Sequence, residues 1–74
     1  MNDDATFLKE FGEILRKIRE SKGLSQEDVG DALNSDGSHI GKIERGEKRI
    51  NILTFRKLLI ALECQANDFF PIKK

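Results

Sequence analysis

Few residues of this 74-residue chain have side chains that could carry out catalysis. The sequence holds one histidine, His39, and one cysteine, Cys64, so it can form neither an internal disulfide nor a thiolate metal cage. No nucleophile stands beside a general base, and no pair of carboxylates suggests a catalytic pocket. The sequence therefore predicts no catalytic residue, metal site or cofactor. We expect Cys64 to be a small core residue, and His39 to pack or to contact a phosphate incidentally.

Basic side chains gather instead in the second half of the chain. Residues 1–36 carry 5 basic and 9 acidic groups, a charge of −4, whereas residues 37–74 carry 8 basic and 4 acidic groups, a charge of +4. The densest basic cluster is formed by Arg45, Lys48 and Arg49. The balanced total argues against indiscriminate binding to polyanions, but the basic half permits a localised phosphate-binding face.

The composition predicts one globular domain over residues 1–74. Charged residues make up 35% and apolar residues 38% of the chain, well above the disordered regime. No apolar run approaches the roughly 18 residues of a membrane span, and the acidic start lacks the regions of a signal peptide. The core is too small to surround a deep substrate cavity. We therefore expect a cytosolic protein without a membrane partner or an evident small-molecule ligand.

Apolar residues recur at helical spacing, and no stretch alternates with a period of two, which predicts an all-α fold. Gly23, Gly46 and Pro71 separate the predicted helices. A last turn at about residues 66–70 buries Phe69. The first predicted helix buries Phe7, Leu8, Phe11, Ile14, Leu15 and Ile18. The fourth, capped by Asn51, buries Ile52, Phe55, Leu58, Leu59 and Leu62.

Two short helices in the middle of the chain are the most informative prediction. Ser25 and Asp28 have the spacing of a capping box for a helix over 26–33, and Asn34 is suited to the left-handed residue that ends it. Asp36, or Ser35, caps a helix over 37–45. Helices of about two turns joined by so few residues must cross steeply. This is the geometry of a helix-turn-helix at about 25–45, whose second helix can enter a DNA major groove.

Two motifs strengthen this interpretation. They are Gly23-Leu24-Ser25-Gln26-Glu27-Asp28-Val29 and Ile40-Gly41-Lys42-Ile43-Glu44-Arg45-Gly46. Together with the stretch from Phe11 to Arg19, they resemble the Cro/phage-repressor (XRE) helix-turn-helix family, and residues 11–70 follow its pattern without gaps. The resemblance implies a compact five-helix, repressor-like domain that binds operator DNA, usually as a symmetric dimer.

The resemblance also implies roles for particular residues. Arg19 and Glu44 match a partly buried ion pair that ties the first helix to the third. For Lys48 and Arg49, phosphate contact and an ordinary solvated loop are equally open. The residues that the resemblance assigns to DNA are Gln26, Gly37, Ser38, Gly41 and Lys42, with Arg45 on phosphate.

Three glycines depart from the family pattern. Gly30 replaces the usual alanine of the second helix, which costs about 0.5–1 kcal/mol in a helix interior. Gly37 and Gly41 lie where side chains would normally meet bases. We therefore expect modest specificity, or a larger contribution from DNA shape and water. Direct readout rests on few groups, chiefly Ser38, Lys42 and Gln26.

Leu53 and Ile60 lie seven residues apart on the fourth predicted helix, away from its inner stripe. The core of one subunit cannot hold both. We therefore assign them, with Phe70 and Ile72 of the tail, to a twofold dimer interface.

Taken together, these features predict a homodimeric regulator of transcription that binds double-stranded DNA at a near-palindromic operator and has no enzymatic activity. Restriction–modification controller proteins, small phage repressors and antitoxins all fit this description. The alternative is a protein-interaction module, such as an antitoxin, that keeps the fold with little DNA readout. The zero net charge and the glycines of the third helix favour that alternative.

Overall fold

The computed structural model describes residues 3–70 of the chain. Within these residues it contains five α-helices and no strand, as the sequence predicts. The helices are α1 (Asp4–Ser21), α2 (Gln26–Ala32), α3 (Gly37–Glu44), α4 (Ile52–Leu62) and α5 (Ala66–Phe69). No helix among them is both long and apolar enough to cross a membrane.

Side-chain caps fix where the two central helices begin. The Ser25 hydroxyl accepts from the Asp28 amide at 2.9 Å, and the Asp28 carboxylate accepts from the Ser25 amide at 2.8 Å, which is the predicted capping box. Asp36, rather than Ser35, caps α3 by accepting from the His39 amide at 2.9 Å. Asn34 has a φ of 56° and makes the left-handed turn between the helices. Both helices end one residue earlier than predicted.

The core lies where the predicted helix faces converge. Ile40 and Ile43 of α3 are fully buried, so α3 is held by one side only. Phe11 of α1 stacks on Phe69 of α5, with ring centroids 4.8 Å apart. The remaining buried apolar residues are Leu15, Val29, Leu33, Leu58 and Leu62.

The prediction that Ile52 belongs to the inner stripe of α4 is wrong. Its side chain is 74% exposed, and Phe7, also predicted as buried, is exposed as well. Both residues line an open cleft of about 460 Å³ between the beginnings of α1 and α4. Phe7 stacks on Phe70 across this cleft, with centroids 5.8 Å apart. Helical periodicity gives the direction of these side chains, but it does not show that the neighbouring helices leave that end uncovered.

Two glycines allow backbones to approach closely on either side of α3. A Cβ at Gly12 of α1 would lie 2.6 Å from the carbonyl carbon of Glu44 and 2.6 Å from the carbonyl oxygen of Ile43. A Cβ at Gly30 of α2 would lie 2.6 Å from the carbonyl carbon of Asp36. In this structure the alanine usual at position 30 of the family would have to push the backbone apart.

A buried ion pair ties α1 to the end of α3. The Arg19 guanidinium donates to both carboxylate oxygens of Glu44, with Nε–Oε2 at 2.6 Å and Nη2–Oε1 at 3.2 Å. Its Nη1 donates to the carbonyl oxygen of Leu24 at 2.8 Å, and Glu44 also accepts from Gln26 Nε2 at 3.0 Å. The hydrogen bond that Arg19 donates to Glu44, more than any other factor, raises the pKa of Arg19 above its ordinary value. One charged pair therefore positions α1, α2 and α3 relative to one another.

The Gly12 contact gives a stability test. Gly12→Ala should lower the free energy of unfolding by about 1–3 kcal/mol or more, because the added methyl group meets backbone atoms that cannot rotate away. The ordinary helix preference for alanine would give the opposite sign. Urea denaturation measures the change, with Glu13→Ala as the exposed control on the same helix. Equal stability of the two variants would contradict the close approach.

The ion pair gives a second test. Arg19→Met should lower the free energy of unfolding by about 3–5 kcal/mol, because Glu44 would stay buried without its counter-charge. Arg19→Met/Glu44→Leu, which removes both charges, should lose less stability than Arg19→Met alone. Urea denaturation of wild type, both single variants and the double variant measures the coupling, with the exposed Arg16→Met as control. Additive losses from the two single changes would argue against it.

Candidate nucleic-acid interface

α3 presents a polar side to solvent. Its apolar side is fixed by Ile40 and Ile43, whereas Ser38, Lys42 and the capping residue Arg45 are exposed. A short helix whose apolar side packs on the core and whose polar side is exposed to solvent can enter a DNA major groove.

The two glycines of α3 play different parts. Gly37 is half-buried, and a Cβ there would lie 3.2 Å from the Glu27 amide nitrogen, in a tight contact between α2 and α3. Gly41 is buried, and the space of its missing side chain is bordered by Arg45 Nη1 at 3.2 Å and Gln26 Oε1 at 3.3 Å. Neither glycine supplies a functional group, but Gly41 lets two longer side chains lie over the helix.

Gln26 is the first residue of α2 and is half-buried beside α3. Its Nε2 donates to Glu44, whose carboxylate can only accept, so the orientation of the amide is fixed. The carbonyl oxygen of the side chain and one N–H remain for a ligand. This is the composition that pairs with the edge of a base.

The charges of α3 are arranged along its length. At its start, Asp36 accepts from the His39 amide and from the Ser38 hydroxyl, both at 2.9 Å. These hydrogen bonds, the one from His39 first, lower the pKa of Asp36. Lys42 and Arg45 lie at the other end. The acidic side chain therefore lies at the start of α3, and the basic side chains that attract a phosphate lie at its end.

The basic side chains after α3 are exposed and differ in their partners. Arg45 forms a two-point ion pair with Glu47, with distances of 3.0 Å and 3.3 Å. Arg49 lies 3.5 Å from Asp4, and both of these side chains are largely exposed. Within residues 3–70, Lys42 and Lys48 form no ion pair. Of the predicted basic cluster, Arg45 therefore lies at the end of α3, whereas Arg49 lies beside the start of α1.

Sequence reasoning did not single out Glu47. In the sequence, the role of Glu47 is marked only by an acidic residue two positions after Arg45, and this spacing is too common to be informative by itself.

The two residues considered for other chemistry lie against the fold. Cys64 is half-buried against the core, and burial raises the pKa of its thiol. His39 is half-buried on α3. The described residues contain no cluster of three side chains suited to a metal ion.

Comparisons with known proteins agree with this geometry. Residues 15–69 match the helix-turn-helix family. The restriction–modification controller protein C.AhdI from Aeromonas hydrophila is 35% identical, with a TM-score of 0.86 over 93% of this chain and 100% of that one. The controller protein C.Esp1396I, solved as a tetramer with its natural 35 base-pair operator, is 31% identical, with a TM-score of 0.75 over 86% and 84%.

A more distant structure shares the fold alone. The clp gene regulator ClgR from C. glutamicum is 22% identical, with a TM-score of 0.81 over 86% of this chain and 83% of that one. No curated protein sequence shows significant similarity to the chain. The family match spans most of the chain, and the related proteins are regulators of transcription rather than enzymes. With its five helices and exposed α3, this chain belongs to the helix-turn-helix family and has the fold of its transcriptional regulators.

Proposed function

We propose that this protein is a sequence-specific regulator of transcription that binds double-stranded DNA as a homodimer at a near-palindromic operator. The observation that carries the proposal is the exposed polar side of α3, with Lys42 and Arg45 at its end and Ile40 and Ile43 buried behind it. Each subunit places α3 in a major groove, and the two half-sites lie on the order of 34 Å apart.

The related structures support a regulator of the controller type. C.Esp1396I, described with its operator, shares 31% of its residues with this chain, and C.AhdI shares 35%. These identities favour a controller protein over a phage repressor or an antitoxin. Such a regulator acts by occupying DNA and performs no reaction of its own.

The DNA contacts divide into two kinds. Lys48 and Arg49 bind phosphates, and they supply salt-dependent affinity without reading sequence. Lys42 donates to guanine O6 and N7 in the groove, and Ser38 and Gln26 lie beside it as further base contacts. Gly37 and Gly41 contribute backbone only, so DNA shape supplies part of the specificity. The phosphate contact of Arg45 is implied by the family resemblance.

The homodimer rests on an apolar surface of α4 and the segment after α5. Leu53 is 64% exposed and Ile60 is 62% exposed, on one face of α4, and Phe70 is exposed beyond α5. Ile72, the fourth residue assigned to this interface, lies outside the described residues. Burying these side chains against their copies in a second subunit removes apolar surface from water.

A protein-interaction module is the second candidate. Two observations favour it: α3 has few side chains that could read bases, and the neighbouring α2 carries the exposed acidic residues Glu27, Asp28 and Asp31. A partner protein bound to α3 would not show the steep salt dependence of phosphate contacts.

Selection of bound duplexes from a random pool tests the DNA-binding proposal. It should enrich a two-part motif with twofold symmetry.

On the selected duplex, Lys42→Ala should cost about 1–3 kcal/mol of binding free energy and relax the preference at one base pair. Lys48→Ala should weaken binding to all duplexes alike and reduce the slope of log K against log salt concentration by about 0.9. The exposed Lys17→Ala on α1 serves as the control. Recovery of unenriched sequence would favour the interaction module.

Analytical ultracentrifugation tests the homodimer. Leu53→Lys/Ile60→Lys should shift the protein to the monomer, because two charges per subunit would be buried against their copies. Ser21→Lys/Ala32→Lys adds the same charge at exposed ends of α1 and α2 and should leave association unchanged. An unchanged dimer in the α4 variant would reject this assignment of the interface.

A further inference from the structure

Glu47 is fixed beside the end of α3 by the backbone. Gly46 has a φ of 77°, a left-handed conformation that reverses the chain after α3. The Glu47 amide then donates to the Lys42 carbonyl oxygen at 2.9 Å. The backbone position of Glu47 relative to α3 therefore does not depend on the Arg45 side chain.

Glu47 engages one particular edge of the Arg45 guanidinium. Arg45 Nε donates to Glu47 Oε2 at 3.0 Å, and Nη2 donates to Oε1 at 3.3 Å. The hydrogen bond from Arg45 lowers the pKa of Glu47 more than any other factor does. Of the five N–H donors of arginine, this pairing uses two and leaves the edge formed by Nη1 and Nη2.

Gly41 determines where that remaining edge lies. Arg45 Nη1 is 3.2 Å from the position that a Gly41 Cβ would take, next to the side-chain amide of Gln26. The guanidinium therefore lies back over α3 beside a second candidate base contact, and Glu47 holds it there.

We propose that Glu47 is a specificity-determining residue, which reserves Arg45 for the edge of a base and reduces its attraction for phosphate. This inference rests on the proposed DNA-binding function, and it replaces the phosphate contact that the family resemblance implies for Arg45. The carboxylate offsets part of the positive charge of Arg45, and it is this charge that attracts a phosphate. The acceptors O6 and N7 of guanine are neutral, so the free edge still donates two hydrogen bonds to them. Glu47 thus weakens binding to arbitrary DNA more than binding to the operator.

The experiment compares four proteins: wild type, Glu47→Gln, Arg45→Gln and the double variant. Fluorescence anisotropy measures their affinities for the selected duplex and for a random-sequence duplex at several salt concentrations. Glu47→Gln should bind the random duplex about two- to fivefold more tightly, the range expected for an exposed ion pair. Its salt slope should steepen by about 0.9, because Arg45 then neutralises a phosphate. The ratio of selected to random affinity should fall.

Two comparisons make the result specific. Glu13→Gln, on the exposed side of α1, makes the same change of charge and should leave the ratio unchanged. In the Arg45→Gln background, Glu47→Gln should also leave the ratio unchanged, since its effect acts through Arg45. An effect that persists without Arg45, or one that Glu13→Gln reproduces, would overturn the role of Glu47. If wild type binds neither duplex, the proposed function and this inference both fail.

Discussion

The buried pair of Arg19 and Glu44 is the interaction on which the geometry of this protein depends. Two charges in a small core are costly to desolvate, and this pair offsets the cost because each nitrogen of the Arg19 guanidinium donates a hydrogen bond and both Glu44 oxygens accept at least one. Because Glu44 is the last residue of α3, the pair fixes the end of the helix that carries Lys42 and Arg45. The same carboxylate orients Gln26, so the first residue of α2 is positioned by the same network.

The glycines explain both the close packing of the helices and the small number of side chains on α3 that could contact bases. Gly12 and Gly30 bring α1 and α2 so near to α3 that backbone meets backbone. Gly37 and Gly41 allow equally close contacts, Gly37 with the backbone of α2 and Gly41 with the side chains of Gln26 and Arg45. α3 is therefore packed closely against its neighbours but carries few side chains that could contact bases. Gln26 and Arg45, whose side chains lie over Gly41, supply further donors and acceptors.

The sequence predicts the local structure well because caps and turns are short-range. Ser25, Asp28 and Asp36 act within three residues of themselves, and Asn34 adopts the left-handed turn expected of it. The exposure of Ile52 could not be predicted, because it depends on which distant elements cover the start of α4. The role of Glu47 was equally hidden, since it arises only when the turn at Gly46 brings its carboxylate to Arg45. The approach of Arg45 and Gln26 to Gly41 could not be predicted either, because it depends on where α2 lies relative to α3.

The eight residues of α3 divide between two sides of the helix, one packed in the core and one exposed to solvent. Ile40, Ile43 and Glu44 are buried in the fold, whereas Lys42 and Ser38 are exposed, Ser38 with its hydroxyl donating to Asp36. Substitutions at these outward positions leave the core untouched. A lineage of such proteins could thus change its target by a few codon changes while remaining folded at every step, so that new regulatory pairings arise without an unstable intermediate.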